Sequence, residues 1–284
     1  MSKVASVMSS QSELACRLQS LHQGPEPLLL PNVWDVAGAR LLEEIGFPAV
    51  ATSSAAIANA LGYPDGERIS KREMLNVVES IAEAVRIPVS ADIEAGYGAS
   101  PAEVLQTGRD LLAAGAVGCN LEDSEGERRL VPIELQVEKL AALHAAGEEA
   151  GVALVINART DAFFLKGPQA LDAFAEGARR ARAYRTAGAA CIFTPGVREL
   201  GLIARLLEAS PGPLNILGGP GLPPVGELAR VGVRRISLGS GPYRAALAGF
   251  RRIAEALRGG GGFELLAGAI AYADLNALLA PRAY

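Results

Sequence analysis

The sequence is poor in the residues that mark several protein classes. Its 284 residues include three cysteines, two histidines, one tryptophan and three methionines. Three cysteines (Cys16, Cys119 and Cys191) do not make a disulfide scaffold, and Cys119 and Cys191 sit inside apolar runs, where a thiol behaves as a small hydrophobe. His22 and His144 stand far apart, so no zinc-ligand spacing is present. No apolar run approaches the roughly 20 residues of a membrane helix. Met1 to Ser12 is polar and Ser-rich, without the apolar centre of a signal peptide, and the expectation is a cytoplasmic protein. An excess of one charge is missing as well. With 27 basic against 31 acidic side chains the net charge is −4, so there is no broad basic field for nucleic acid.

What is present is one arrangement repeated from end to end. Half the residues are apolar, and they fall into short runs separated by Ala/Leu/Glu/Arg-rich stretches of helical spacing. The runs are Leu28–Leu30, Ala49–Thr52, Pro88–Ala91, Val117–Leu121, Val152–Ala158, Cys191–Thr194, Leu214–Leu217 and Arg235–Leu238. Glycines such as Gly46 and Gly232 stand where a helix ends and a run begins. Ser70–Glu73 and Ser100–Glu103 read as capping boxes, the second with Pro101 at the first helical position. Such alternation demands parallel strands joined by helical crossovers. Eight units fit a single (β/α)8 TIM-type barrel, and no Gly-x-Gly-x-x-Gly opens the first helix to suggest a dinucleotide fold. Residues 1–258 are expected to form the barrel with an N-terminal lead. Residues 259–284 are expected to form a glycine hinge, Gly259–Gly262, and an apolar helix, Phe263–Leu279, that docks on its own barrel or on a neighbouring subunit.

In such a barrel the chemistry gathers where the strands end. Asp92 and Glu94 are two apart on one strand and face the same side, and Glu122 ends the next strand. Three carboxylates at one mouth call for a cation, and oxygen-only ligands select a hard ion such as Mg²⁺. Arg159, one strand further on, offers a fork for a carboxylate or phosphate. Asp123 and Asp161 stand where a strand-end acid serves either as a helix cap or as part of the site. Arg179, Arg180, Arg182 and Arg185 read as the solvated face of one helix, His144 as a packing or surface residue, and Trp34 as a packing anchor.

Three motifs carry a resemblance to a known family: Asp92-x-Glu94-x-Gly96-Tyr97-Gly98, Leu121-Glu122-Asp123, and Ala158-Arg159-Thr160-Asp161-Ala162. In their order and strand placement the chain resembles the isocitrate lyase/phosphoenolpyruvate mutase superfamily. The resemblance implies a Mg²⁺ site, with Mn²⁺ as the alternative, in which Asp92 is the direct ligand and Glu94 and Glu122 hold metal waters. It also implies that backbone amides of Thr52, Ser53 and Ser54 hold the substrate's oxo-acid end and that Arg159 pairs with its carboxylate. Asp65 would be a further acid near the metal, and Asn215 and Arg244 would reach the far end of a longer dicarboxylate. Arg159, Glu122 and Asp65 are thus the expected catalytic groups, and the expected assembly is a homodimer or homotetramer exchanging C-terminal helices.

The resemblance also has a gap. In the isocitrate and methylisocitrate lyases a Lys-Lys-Cys-Gly-His stretch supplies the acid soon after the fourth strand, whereas here Ser124–Arg129 reads Ser-Glu-Gly-Glu-Arg-Arg. The expected activity is therefore a Mg²⁺-dependent lyase or decarboxylase that cleaves a C–C bond in a small 2-oxo or 2-hydroxy (di)carboxylic acid through an enolate. Tyr97, Tyr243 and metal-bound water are the candidate proton donors. C–P cleavage of phosphonopyruvate type and non-catalytic binding of a 2-oxo acid are the alternatives.

Overall fold

Proline at position 31 divides the first strand and, in doing so, closes the sheet. In the computed structural model, which describes residues 3–126, 129–165 and 172–281 (for residues 3–10 the backbone alone), the strands are β1 Leu28–Leu30, β2 Asn32–Val33, β3 Val50–Thr52, β4 Val89–Asp92, β5 Gly118–Glu122, β6 Ser124–Glu125, β7 Arg129–Leu130, β8 Val155–Arg159, β9 Cys191–Phe193, β10 Leu214–Leu217 and β11 Arg235–Ser237. The main sheet runs β1-β11-β10-β9-β8-β5-β4-β3-β2, all parallel. Its two ends, β1 and β2, are separated in sequence by Pro31 alone. Proline has no N–H for the ladder, so pairing passes from β11 before it to β3 after it. Asn32 pins this seam: its Nδ2 donates to the Thr52 carbonyl at 2.7 Å, and its Oδ1 accepts from the amides of Leu238 and Gly239 at 2.7 and 2.8 Å. The result is the expected (β/α)8-type barrel.

The helices are α1 Lys3–Leu21, α2 Val36–Ile45, α3 Ser54–Ala60, α4 Lys71–Ala84, α5 Pro101–Ala113, α6 Ile133–Ala150, α7 Ala173–Thr186, α8 Leu200–Ala209, α9 Val225–Val231, α10 Gly241–Arg258 and α11 Tyr272–Leu279. Both capping boxes form, at the starts of α4 and α5. Gly46 and Gly232 end α2 and α9 in the left-handed region, at φ 101° and 112°, where a Cβ would be strained. The expected helix Phe263–Leu279 is broken: a 3-10 turn covers Glu264–Leu266, and α11 begins only at Tyr272, after Gly268 has interrupted the run. The C-terminal helix packs on α2 of its own barrel, where Arg40 Nη2 donates to the Ala280 carbonyl at 3.3 Å. Among the described residues, no helix is long and apolar enough to cross a membrane.

Helix α1 packs against the barrel. Its Leu18 is fully buried against Gly118, the first residue of β5. A methyl group on Gly118 would lie 2.7 Å from Leu18 Cδ2 and 3.0 Å from the Val155 carbonyl oxygen. Gly118→Ala is therefore expected to lower stability by about 1–3 kcal/mol through overpacking, and to cost less on a Leu18→Ala background, where the side chain it meets is gone. Urea unfolding of the single and double variants measures this.

Next to Leu18, His22 meets a fully buried Arg235, whose guanidinium also reaches Ser90 Oγ and Asn120 Oδ1 at 3.3 Å each. Arginine cannot accept a hydrogen bond. His22 Nε2, 3.5 Å from Arg235 Nη1, is therefore the acceptor, and Nδ1 donates to the Leu18 carbonyl at 2.8 Å. Burial, and then the charge of Arg235, push the imidazole down from 6.5 to about 4. On acidification the unfolded histidine takes up its proton first. Stability should therefore fall as the pH drops from about 6.5 towards 4, and His22→Gln should flatten that part of the profile. Denaturation midpoints at pH 7 and pH 5 give the comparison.

Candidate active site

Several of the strands end in a functional side chain at a common mouth. β4 ends in Asp92, whose Oδ2 accepts from the Ser54 amide at 3.1 Å and the Ser54 hydroxyl at 2.7 Å. Its backbone N–H donates to Thr52 Oγ1 at 2.9 Å, so the end of β3 orients the end of β4. Among the described residues Asp92 Oδ1 carries no hydrogen bond, which leaves one half-buried carboxylate oxygen open at the mouth. Thr52, Ser53 and Ser54 are buried. Ser53 and Ser54 do not offer the free amides expected of them. The Ser53 amide donates to the Val33 carbonyl at 3.1 Å, and the Ser54 amide is the one bonded to Asp92. Ser53 Oγ caps α3. This segment serves to fix Asp92, because the sharp entry into α3 turns its N–H groups onto neighbouring strands.

Beyond Asp92 the chain is held in a ring of hydrogen bonds. The non-glycine residues with positive φ among those described are Glu67, Glu94 and Tyr97, at 54°, 51° and 50°, and all three bond to one another. The Glu67 amide donates to Glu94 Oε2 at 2.5 Å, the Tyr97 amide to Glu67 Oε1 at 2.8 Å, and the Tyr97 hydroxyl to Glu94 Oε1 at 3.1 Å. Backbone strain of this kind persists only where surrounding bonds over-determine it. Burial, with the charges of Asp92 and Asp65 behind it, pushes the Glu94 carboxyl up to about 7. Lys139, buried on α6, donates to the Ala95 carbonyl at 3.2 Å and anchors the same loop.

Across the mouth, β5 ends in Glu122 and β8 in Arg159, paired in register with each other and, through Phe193, with Asn215. Arg159 Nη1 lies 2.6 Å from Glu122 Oε2, while Nε and Nη2 grip Asp161 at 2.6 and 2.7 Å. Two of its five N–H groups are thereby bound to Asp161, and Nη1 meets Glu122 as an ion pair, which leaves terminal N–H groups open. The Ser124 hydroxyl donates a short hydrogen bond to Glu122 Oε1. Burial holds the Glu122 carboxyl above the ordinary range against the pull of Arg159. Asp65, on the exposed loop before α4, is also raised, by desolvation first and then by the charges of Asp92 and Asp161, with Arg159 pulling the other way. These mutual effects place Asp65, Asp92, Glu94, Glu122, Asp161 and Arg159 in one electrostatic neighbourhood.

Among the described residues, the side chains of Asn215 and Arg244 form no hydrogen bond to these groups. Asn215 is fully buried and bonds Ser237 Oγ at 3.1 Å. Arg244 is exposed in the first turn of α10, next to Tyr243, whose ring meets Trp34 edge-on at 5.3 Å. Asp161 and Asp123 do not cap helices with their side chains. Asp161 grips Arg159, and Asp123 is a buried acceptor beneath it. Nor is Arg180 part of a solvated face: it is buried on Asp123, while Arg179 and Arg182 are exposed. The segment in place of the lyases' acid loop is a hairpin, Ser124 opposite Leu130 and Glu125 opposite Arg129. Glu127 and Arg128 fall outside the described residues.

The donor set fits a hard cation held largely through water. Among the described residues no three Asp, Glu, His or Cys side chains converge tightly enough to cage an ion directly. The expected trio is thus not a closed cage, because Glu94 is engaged by Glu67 and Tyr97, and Glu122 by Ser124 and Arg159. One open carboxylate oxygen beside several other acids suits Mg²⁺, which keeps several waters and binds through one or two carboxylates.

The chain is similar to known proteins over most of its length. The family model described as phosphoenolpyruvate phosphomutase matches residues 18–258. An uncharacterised protein of Mycobacterium tuberculosis is 34% identical over 259 residues, 91% of this chain and 94% of its own length. The 2-methylisocitrate lyase of Bacillus subtilis is 31% identical over 222 residues, 75% of this chain and 70% of that enzyme. Among solved structures, a phosphonopyruvate hydrolase complex with oxalate and Mg²⁺ superposes with a TM-score of 0.81 at 26% identity, covering 93% of this chain and 94% of that one.

Proposed function

The chain belongs to the phosphoenolpyruvate phosphomutase family, within the isocitrate lyase/phosphoenolpyruvate mutase superfamily, and on that premise we propose that it is a Mg²⁺-dependent lyase or decarboxylase of a small 2-oxo dicarboxylic acid. The observation that carries this reading is the pairing, at one mouth, of an open Asp92 oxygen with an Arg159 fork that keeps terminal N–H groups open. Asp92 would hold the ion directly, and Glu94, Glu122 and Asp65 would hold its waters. When bound, Mg²⁺ supplies a Lewis acid for a 2-oxo group and offsets negative charge as it develops on that oxygen.

The chain's own groups supply the rest. Arg159 binds the carboxylate next to the oxo group through its open terminal N–H groups, while Glu122 and Asp161 hold its plane fixed. In a decarboxylation the C–C bond to the distal carboxylate breaks, CO₂ leaves, and the electron pair passes into the enolate, which then takes a proton on carbon. The Tyr97 hydroxyl, bonded to Glu94, and the Tyr243 hydroxyl are the side-chain candidates for that proton. The stretch after Glu122 has none of the Lys, Cys and His of the lyases' acid loop, which favours a substrate whose leaving group needs no enzyme acid, and carbon dioxide is such a group.

A screen of oxaloacetate, 2-methylisocitrate, isocitrate and phosphonopyruvate, each with Mg²⁺ and with chelator, tests the proposal. Metal-dependent pyruvate formation from oxaloacetate is expected. Phosphate release from phosphonopyruvate would move the reading to C–P cleavage, and binding without turnover would make the protein a 2-oxo acid binder. Subunit exchange of the C-terminal segment, proposed from the resemblance, is checked by the mass of the particle in solution before and after truncation at Gly259.

A further inference from the structure

Beneath the mouth lies a buried ion pair that touches none of the groups assigned to the chemistry except through one backbone amide. Asp123 is fully buried, and its two oxygens divide their partners. Oδ2 accepts from the Tyr184 hydroxyl at 2.6 Å and from Arg180 Nη1 at 3.1 Å. Oδ1 accepts from the backbone N–H of Asp161 at 2.9 Å. Asp161 in turn grips Arg159 with both carboxylate oxygens. Arg180 Nη1 also donates to the Tyr184 oxygen at 2.9 Å, so the two donors brace each other. They stand four residues apart on α7 and face the barrel together.

The same group also ties down the hairpin. Arg180 Nη2 donates to the Val131 carbonyl, and the Val131 amide to the Asp123 carbonyl, both at 2.9 Å. One buried cluster on α7 therefore sets both the loop that presents Asp161 and the segment that leads Ser124 back from Glu122.

We infer that Asp123, Arg180 and Tyr184 form a positioning triad that aims the Arg159 guanidinium at the substrate carboxylate. The inference rests on the reading of Arg159 as the carboxylate-binding group. Asp123 holds the Asp161 backbone, Asp161 holds one edge of the guanidinium, and Glu122 holds the other side. A shift of α7, or loss of a donor to Asp123, would tilt the open N–H groups of Arg159 with no change in the residues that line the mouth. Small displacements of this kind weaken binding of an anion that needs both donors at once.

The test uses the full-length protein and two isosteric variants, Tyr184→Phe and Asp123→Asn. Its first readout needs no substrate: exchange of the Arg159 Nε proton with water, followed by ¹⁵N NMR. The bond to Asp161 protects that proton in the wild type, and exchange at least tenfold faster is expected in a folded variant. The second readout is steady-state kinetics with oxaloacetate. A KM raised roughly tenfold is expected with kcat changed less than threefold, and the effect should vanish when either substitution is made on an Arg159→Ala background. Should one variant fail to fold, the other decides. Exchange at the wild-type rate in a folded variant overturns the inference and makes the triad a structural brace only. Absence of turnover in the wild type would instead count against the proposed function, and the exchange comparison would still decide the triad.

Discussion

Asp92→Asn is expected to abolish metal-dependent turnover while leaving the fold intact. The substitution keeps an oxygen for the Ser54 amide and hydroxyl, which lie 3.1 and 2.7 Å from Oδ2, and keeps the size of the side chain. What it removes is the charge on the open oxygen. Loss of a single group that stabilises developing charge costs about 10²–10³-fold in rate. Here the loss should reach at least that, because the same group would hold the ion as well. Ser54→Ala provides the graded comparison: it deletes one of the two bonds to Asp92, leaves the charge, and should weaken metal binding by much less. Calorimetric titration of Mg²⁺ into the three proteins, alongside turnover, measures both effects. Mg²⁺ dependence retained in Asp92→Asn would remove Asp92 from the site.

The second large effect is on stability. Asp123→Ala should destabilise the protein by about 3–5 kcal/mol, the range for breaking a buried ion pair by removing one partner. The loss has three sources in the structure. Tyr184 loses the acceptor of its hydroxyl, Arg180 loses its buried counter-charge at 3.1 Å, and the Asp161 amide loses its acceptor at 2.9 Å. Arg180 keeps Glu176 at 2.6 Å, which holds the cost within that range. Urea unfolding is expected to show a lower midpoint with an unchanged slope. Asp123→Asn, which keeps an acceptor at the same place, should lose less.

The fold was largely legible because its signals are local. Capping boxes, glycines after helices and apolar runs each depend on a few neighbouring residues, and together they point to every strand of the main sheet except Asn32–Val33. The split at Pro31 is also local in cause, yet its consequence is topological: the two half-strands pair with β11 and β3, which are distant in sequence. The apolar helix after the glycines was overextended because Gly268 interrupts the run there.

For Asp92, Glu122 and Arg159 the placement at strand ends is readable from sequence, since a strand end fixes the mouth a side chain faces. Their hydrogen-bond partners are not. Arg180 stood among four arginines on one helix, and only its four-residue spacing from Tyr184 set it apart from the exposed Arg179 and Arg182. Glu67 lies in a loop with no periodicity, and its bonds to Glu94 and Tyr97 depend on two left-handed turns meeting. The amides of Ser53 and Ser54 read as free from sequence because their acceptors, Val33 and Asp92, lie on other strands.

On the proposed function this mouth takes the enolate of a 2-oxo acid on a hard cation, with Arg159 on the carboxylate. Oxalate has the shape and charge of that enolate, so its binding, measured by calorimetry with saturating Mg²⁺ and again with excess chelator, is the most direct measurement. The expected result is binding with Mg²⁺, none without it, and loss of binding in both Asp92→Asn and Arg159→Ala. Equal binding with and without the metal, or no binding under either condition, would contradict the account.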